Sequence, residues 1–429
     1  MRFSGRYPLT ADACQVCEKM IGEGLPEPVE KVATSPKDFP IHRWYYFVHS
    51  YSPTFVRYEI KKNRISGEDS ILDPFVGAGT TLVEAKARGI NSCGVDVIEF
   101  LSFASRVKTE WNIDHVEFYS TSQRVLEAAA ERYQAGDVPE FRSELLPESY
   151  ISRESLRKIL SLKEEIRRVN NSKIKDLLTL VLASIAKPSS NIGLGPNVGL
   201  KRKKSDANVF KLFLEKARVV RDDLKGVKNC EVEAKVLTGD SRELSSMLNE
   251  EFACVITSPP YPQDHDYTRQ LRLELTLLDF MRTKEELRAV KKRAIRASTR
   301  NVYAEDHERE LVKKFGEVVE LMEKIERRVR ETGGKSGFEK LYSKLVGEYF
   351  GGMYVCLGEI YEVLENGGVA SLLVADSHAF KMTHIQTASI LAKMGLDVGF
   401  RSHELEVWRY IRSTAHDYPI PEYILRLHK

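Results

Sequence analysis

The sequence predicts an α/β fold: a doubly wound, mostly parallel, Rossmann-like sheet interrupted by helical insertions. Three stretches carry that expectation. Ser70-Ile71-Leu72 leads into Asp73-Pro74-Phe75-Val76-Gly77-Ala78-Gly79-Thr80-Thr81, then into the helix-forming run Leu82–Ala87 and a second apolar strand, Cys93-Gly94-Val95, ending at Asp96. Strand, glycine turn, helix and strand in that order open a wound sheet. Phe252–Ile256 is an apolar strand that stops before Pro259-Pro260, because neither proline can donate to a ladder or continue a helix. Val369–Val374, after Gly367-Gly368, is apolar except for Ser371, as a buried strand should be.

The 429 residues are 42% hydrophobic and 30% charged, which predicts a globular chain of two or three domains with a full core. There is no run of about eighteen apolar residues and no hydrophobic segment after Met1-Arg2-Phe3, so a cytoplasmic protein without a membrane partner is expected. A formal charge of +3 is mild, so any nucleic-acid contact has to come from local clusters. Glutamine occurs only at positions 15, 123, 134, 263, 270 and 386, while Lys, Arg and Glu abound, a bias found in thermophile proteins. The six cysteines make no disulfide framework. Cys14 and Cys17 are spaced C-x-x-C, but no second pair of ligands accompanies them, and no metal site is expected.

Taken in order, residues 1–40 read as a proline-rich arm. Ile41–Pro53 is dense in aromatics and precedes an amphipathic helix at Phe55–Lys61. Residues 41–114 form the first half of the core. In its glycine turn, Gly77 and Gly79 allow close backbone approach to a ligand, and the helix that follows offers unpaired N–H groups. Asp96, at the end of the next strand, stands where a carboxylate can hold ribose hydroxyls. A dinucleotide enzyme would share this geometry, yet its G-x-G-x-x-G fingerprint is absent, since Thr80, Thr81 and Leu82 follow Gly79.

Residues 115–228 break the alternation. Helical periodicity runs through Ser122–Gln134, Ser152–Arg168 and Lys173–Ala186. A glycine-rich loop then delivers Lys201-Arg202-Lys203-Lys204, a candidate phosphate-binding run. The core resumes over 229–281, with a strand at Val232–Leu237, then Asp240 and Ser241, and then the stiff tip Thr257-Ser258-Pro259-Pro260-Tyr261. Both proline carbonyls are expected to be free to accept hydrogen bonds beside an aromatic ring, a seat for a flat ring bearing an amino group. Residues 282–344 are a second insert with another basic cluster, Lys291-Lys292-Arg293, and a long charged helix expected over Glu308–Arg330. Residues 345–429 return to the core, with last strands expected at Val398–Phe400 and Glu422–Leu427.

Thr257–Tyr261 resembles motif IV of the S-adenosylmethionine-dependent amino-methyltransferases, and Asp73–Thr81 resembles their motif I. Asp240-Ser241 is similar to motif III, and Tyr51-Ser52-Pro53 to motif X. The resemblance implies a seven-stranded methyltransferase sheet closing on an antiparallel hairpin, with S-adenosyl-L-methionine as cofactor. It implies cofactor contacts from Tyr51, Ser52, Asp73, Pro74, Phe75, Gly77, Gly79, Thr80, Thr81, Asp96, Val97, Asp240 and Ser241. It gives Ser258, Pro259, Pro260 and Tyr261 the catalytic part, and the serine first in that tip goes with the N4 amine of cytosine rather than the N6 amine of adenine. His265 lies next to the tip, although a methylated amine can lose its proton to water without a dedicated base. No recognition domain separates motifs III and IV, so the two basic inserts would have to read the polynucleotide. That favours structured RNA, ribosomal RNA included, over a site in DNA, the alternative, with methylation of the N6 amine of adenine a further alternative.

Overall fold

Seven strands pair into one sheet in the order β3-β2-β1-β4-β5-β7-β6. In this computed structural model, which describes residues 35–193, 199–200, 206–227, 231–334, 337–412 and 419–429, they are β1 (Ser70–Asp73), β2 (Asn91–Asp96), β3 (Ala234–Thr238), β4 (Phe252–Thr257), β5 (Leu364–Ala375), β6 (Ser402–Arg412) and β7 (Pro419–His428). Strands β1 to β5 run parallel, while β7 lies antiparallel between β5 and β6, so the sheet is mostly parallel but mixed. Successive side chains of a strand point to opposite faces. Ile71, Cys254 and Ile256 accordingly join one buried cluster and Leu72, Val255 and Leu372 another.

Helix α1 (Pro53–Lys62) covers the first face. Ser52 caps it by accepting from the Thr54 amide, and Pro53 occupies the first turn, where its missing N–H costs nothing. Buried Glu59 of α1 pairs with buried Arg426 of β7 at 2.6 Å, which fixes the helix to the antiparallel end of the sheet. Helix α2 (Thr80–Lys86) starts at Gly79, and α3 (Glu99–Thr109) follows β2. Helices α4 (His115–Ala135), α5 (Arg153–Arg167), α6 (Ser172–Ala186) and α7 (Val209–Lys225) make up the described part of the first insert, and α7 is a helix beyond the three expected. Their apolar stripes join α3 and the aromatic segment at Ile41–Phe47 in one continuous core. Helix α8 (Lys284–Arg293) begins with a Thr283/Glu286 capping box. Helices α9 (Gly316–Glu331), α10 (Tyr342–Val363) and α11 (Thr387–Val398) pack with β5 and β7 on the second face. Among the described residues no helix is long and apolar enough to cross a membrane.

Three local expectations are corrected. The helix expected over Glu308–Arg330 is a short 3-10 turn at Glu308–Val312 and then α9, because the Glu308 backbone lies against α10, where a Cβ on Gly351 would stand 2.2 Å from the Glu308 carbonyl oxygen. Gly367-Gly368 is not a turn before β5 but an irregularity inside it, where the register against β4 shifts. No strand forms at Val398–Phe400: α11 runs through Val398, Gly399 turns the chain at φ 133°, and β6 starts at Ser402. β6 alternates Glu404 and Glu406 with Leu405 and Val407, leaving one apolar row exposed, so it lacks the buried apolar run that marks a core strand.

Candidate active site

The site is built at the carboxyl ends of the parallel strands. The glycine turn leaves β1 at Asp73 and reaches α2 through Gly79, which has φ 83°. A Cβ there would also meet Ser105 Oγ at 2.7 Å, so only glycine lets the turn lie this close to α3. Lys108 holds the turn from beneath by donating to the Ala78 carbonyl at 2.9 Å, and burial lowers the pKa of this ammonium to about 7. Across the turn, Asp96 accepts from the Gly77 amide (3.0 Å) and the Ile98 amide (2.8 Å). Burial nevertheless pushes its pKa up to about 7.

Asp73 ties three separate stretches of chain together. It accepts from Thr257 Oγ1 at 2.6 Å, Tyr51 OH at 2.6 Å and the Phe75 amide at 3.1 Å. Burial raises its pKa to about 6 against the pull of those bonds. Thr81 donates to the Ile256 carbonyl at 3.0 Å. The glycine turn and the Ser258–Tyr261 tip are therefore neighbours on one side of the molecule.

The tip is held from behind. Ser258 Oγ donates to the Leu373 carbonyl of β5 at 3.0 Å and lies 3.2 Å from Tyr261 OH, which bonds Glu422 of β7 at 3.0 Å. Glu422 is also paired with Arg409 of β6. The two proline carbonyls differ, contrary to expectation: that of Pro260 already accepts from Tyr349 OH of α10 at 2.9 Å, while that of Pro259 accepts no hydrogen bond among the described residues.

Turn, Asp96 and tip share one cavity of about 570 Å³. Of the residues singled out from the sequence, Tyr51, Phe75, Gly77, Thr80, Asp96, Val97, Asp240, Ser241, Arg293 and the four tip residues line it. Ser52, Asp73, Pro74, Gly79 and Thr81 do not, since their atoms cap a helix, join strands or shape the turn. The walls include residues that no motif flags: Phe47 and His49 from the aromatic segment, Ile295 and Asn301 from the second insert, and Ile411 and Ile420 from the β6–β7 hairpin. The imidazoles of His49 and His265 lie 5.2 Å apart in this cavity. Burial lowers both pKa values, that of His49 to about 3, so both are neutral at pH 7.

The basic clusters fare unequally. Lys201, Arg202, Lys203 and Lys204 lie outside the described residues, as do Cys14 and Cys17. Lys291 is buried in a 2.7 Å pair with Asp266, which takes it out of the phosphate-binding cluster expected from the sequence, while Lys292 is exposed and paired with exposed Glu305. Arg293 alone of the three is exposed without an ion pair among the described residues, and it lines the cavity. Its backbone is held by Arg242, which donates to the Arg293 carbonyl at 2.9 Å while gripping Asp240 at 2.7 Å. Among the described residues no group of three or more His, Cys, Asp or Glu side chains is placed to hold a metal.

Comparison with known proteins adds relatives to this geometry. No family model matches the chain. It is 28% identical over 276 residues to the Type II methyltransferase M.BsoBI of Geobacillus stearothermophilus, covering 56% of this chain and 53% of that one, about half the length of the relative. It is 22% identical over 420 residues to the Type II methyltransferase M.AvaI of Nostoc sp., covering 86% and 81%. A shorter match, 37% over 70 residues, links it to the Type II methyltransferase M.MjaII of Methanocaldococcus jannaschii, covering 16% and 13%. The chain is thus similar to Type II methyltransferases, and to M.AvaI over most of its length.

Proposed function

We propose that this chain is an S-adenosylmethionine-dependent DNA methyltransferase that acts on the exocyclic N4 amine of cytosine. The observation that carries the reading is the single cavity shared by the glycine turn, the Asp96 carboxylate and the Ser258–Tyr261 tip. The Type II designation of the relatives supports DNA over the RNA substrate favoured from motif order alone.

The residues fit the cofactor. The cavity volume lies in the range of about 300–1,000 Å³ usual for small-molecule sites. Asp96 presents a carboxylate suited to ribose hydroxyls, and Phe75, Val97 and Ile295 offer apolar surface for an adenine ring. When bound, S-adenosylmethionine supplies a methyl group already activated on a sulfonium sulfur.

The chain's own task is to position the amine. The N4 lone pair of cytosine is delocalised into the ring, so it becomes nucleophilic only as the amine pyramidalises. Ser258 spends its one proton on the Leu373 carbonyl, which leaves its oxygen free only to accept. The Pro259 carbonyl is the second acceptor. Two acceptors on the two N–H groups hold the nitrogen and favour pyramidal geometry. Tyr261, its hydroxyl fixed by Glu422, offers its ring to a base taken out of the stack. Positioning of this kind accounts for most of the acceleration expected of such a site. The neutral imidazole of His265 and water can both take the proton the methylated amine releases.

The test is transfer of labelled methyl from S-adenosylmethionine to duplex DNA and, in parallel, to folded RNA, followed by mass spectrometry of the digested nucleosides. N4-methyldeoxycytidine is expected, with Ser258→Ala reducing transfer by roughly 10²-fold or more while cofactor binding persists. Label confined to RNA, or to adenine, would overturn the reading.

A further inference from the structure

We infer that the loop between Asp376 and Ile385 carries a wedge, Met382, that enters the duplex where the target nucleotide leaves its stack. The inference rests on the DNA reading above.

The loop springs from the carboxyl end of β5, beside the tip. Ser377 and Ile385 exchange backbone hydrogen bonds of 3.1 and 2.7 Å that close its base, and Ser377 and His378 line the cavity. The imidazoles of His378 and His384 stack across its neck at 4.5 Å and 8°, and His384 Nε2 lies 3.1 Å from Asp376 Oδ2. The loop is therefore short and braced, and its stem lies at the rim of the cavity.

Its backbone is unusual. Phe380, Lys381 and Met382 have φ values of 54°, 61° and 59°, three successive non-glycine residues in a left-handed conformation that L side chains rarely adopt. Such a turn persists only where the surroundings over-determine it, and backbone of this kind gathers at functional sites. The second insert supplies the bracing. Arg328 of α9 donates to the Lys381 carbonyl at 2.9 Å, Glu339 pairs with Lys381 at 2.9 Å, and the Tyr342 ring packs on buried Phe380 at 4.7 Å. Thr383 Oγ1 closes the turn on the Phe380 carbonyl at 2.9 Å. Phe380, Lys381 and Thr383 are thus committed to the protein, whereas Met382 is held out with 45% of its surface exposed.

An exposed apolar side chain on a braced turn whose stem lines the cavity has the chemistry of an intercalating wedge. An enzyme that works on a base in a duplex has to extrude it and meet the cost of unstacking. Unbranched, polarisable methionine is among the side chains that enter base steps.

The test compares methyl transfer by the full chain, Met382→Ala and Met382→Leu to unmodified duplex DNA and to the same DNA denatured and kept single-stranded. Met382→Ala is expected to lose roughly tenfold or more on duplex and less than about twofold on single strands, with Met382→Leu close to the parent on both. Equal losses on both substrates, or no loss on either, would overturn the wedge. If the parent chain methylates neither DNA, the DNA reading fails and the wedge falls with it.

Discussion

Asp96 shows how burial tunes one carboxylate of the site. Its pKa of about 7 means that it still holds a proton where exposed carboxyls are ionised. A ribose hydroxyl donates best to the ionised form, so cofactor affinity should rise as pH climbs from 6 to 8 and level off above. Titration calorimetry with S-adenosylmethionine across that range checks it. Asp96→Asn should flatten the profile and weaken binding by roughly ten- to a hundredfold. The sign for stability is opposite: a raised carboxyl pKa contributes stability below its unfolded value, near 4, that is lost as pH rises through 7. Asp96 was legible in the sequence, because a strand end about twenty residues after a glycine turn is a local pattern. That Thr81 bonds the Ile256 carbonyl and Ser52 caps α1 was not, since whether a hydroxyl faces open space or a neighbouring backbone group depends on what packs opposite.

At the scale of elements, the second insert is a wall of the core rather than a detached arm. The end of α8 and the segment after it bring Arg293, Ile295 and Asn301 to the cavity, Arg242 clamps them, and the Glu308 backbone seats the insert on α10 at Gly351. Gly351→Ala places a methyl 2.2 Å from a backbone oxygen that no side-chain rotation can move. It should cost about 1–3 kcal/mol, read as a lower urea midpoint, and raise the KM for S-adenosylmethionine by loosening that wall. The β strands up to β5 were readable from apolar runs and glycine or proline punctuation. β6 was not, because the cues for buried strands fail at a sheet edge with charges on one row and exposed apolar residues on the other.

For the whole molecule, a formal charge of +3 leaves nucleic-acid affinity to a few placed cations. Lys291 and the nearby Arg296 are buried in pairs with Asp266 and Asp306 and act as internal bracing, while Lys292 pairs with Glu305 at the surface. Arg293 remains at the cavity and suits a backbone phosphate. Arg293→Gln should weaken binding to duplex DNA and lower the slope of log affinity against log salt by about one, while Lys292→Gln leaves the slope near its parent value. Fluorescence anisotropy at several salt concentrations distinguishes the two. An equal loss of slope in both variants would show that the ion pair does not withhold Lys292 from DNA.

By itself the sequence determined what short-range rules control. Prolines end β4, glycines open the turn after β1, and the residue order in that turn and in the Ser258–Tyr261 tip resembles that of amino-methyltransferases. Only the tertiary structure decided which charges meet and which residues close the cavity. Glu59 and Arg426 are 367 positions apart, and Phe47, Ile295 and Ile420 reach one space from three distant segments. The left-handed turn at Phe380–Met382 has no glycine to announce it. Such features depend on long-range proximity, which periodicity and spacing do not encode, because each is held by partners contributed from elsewhere in the fold.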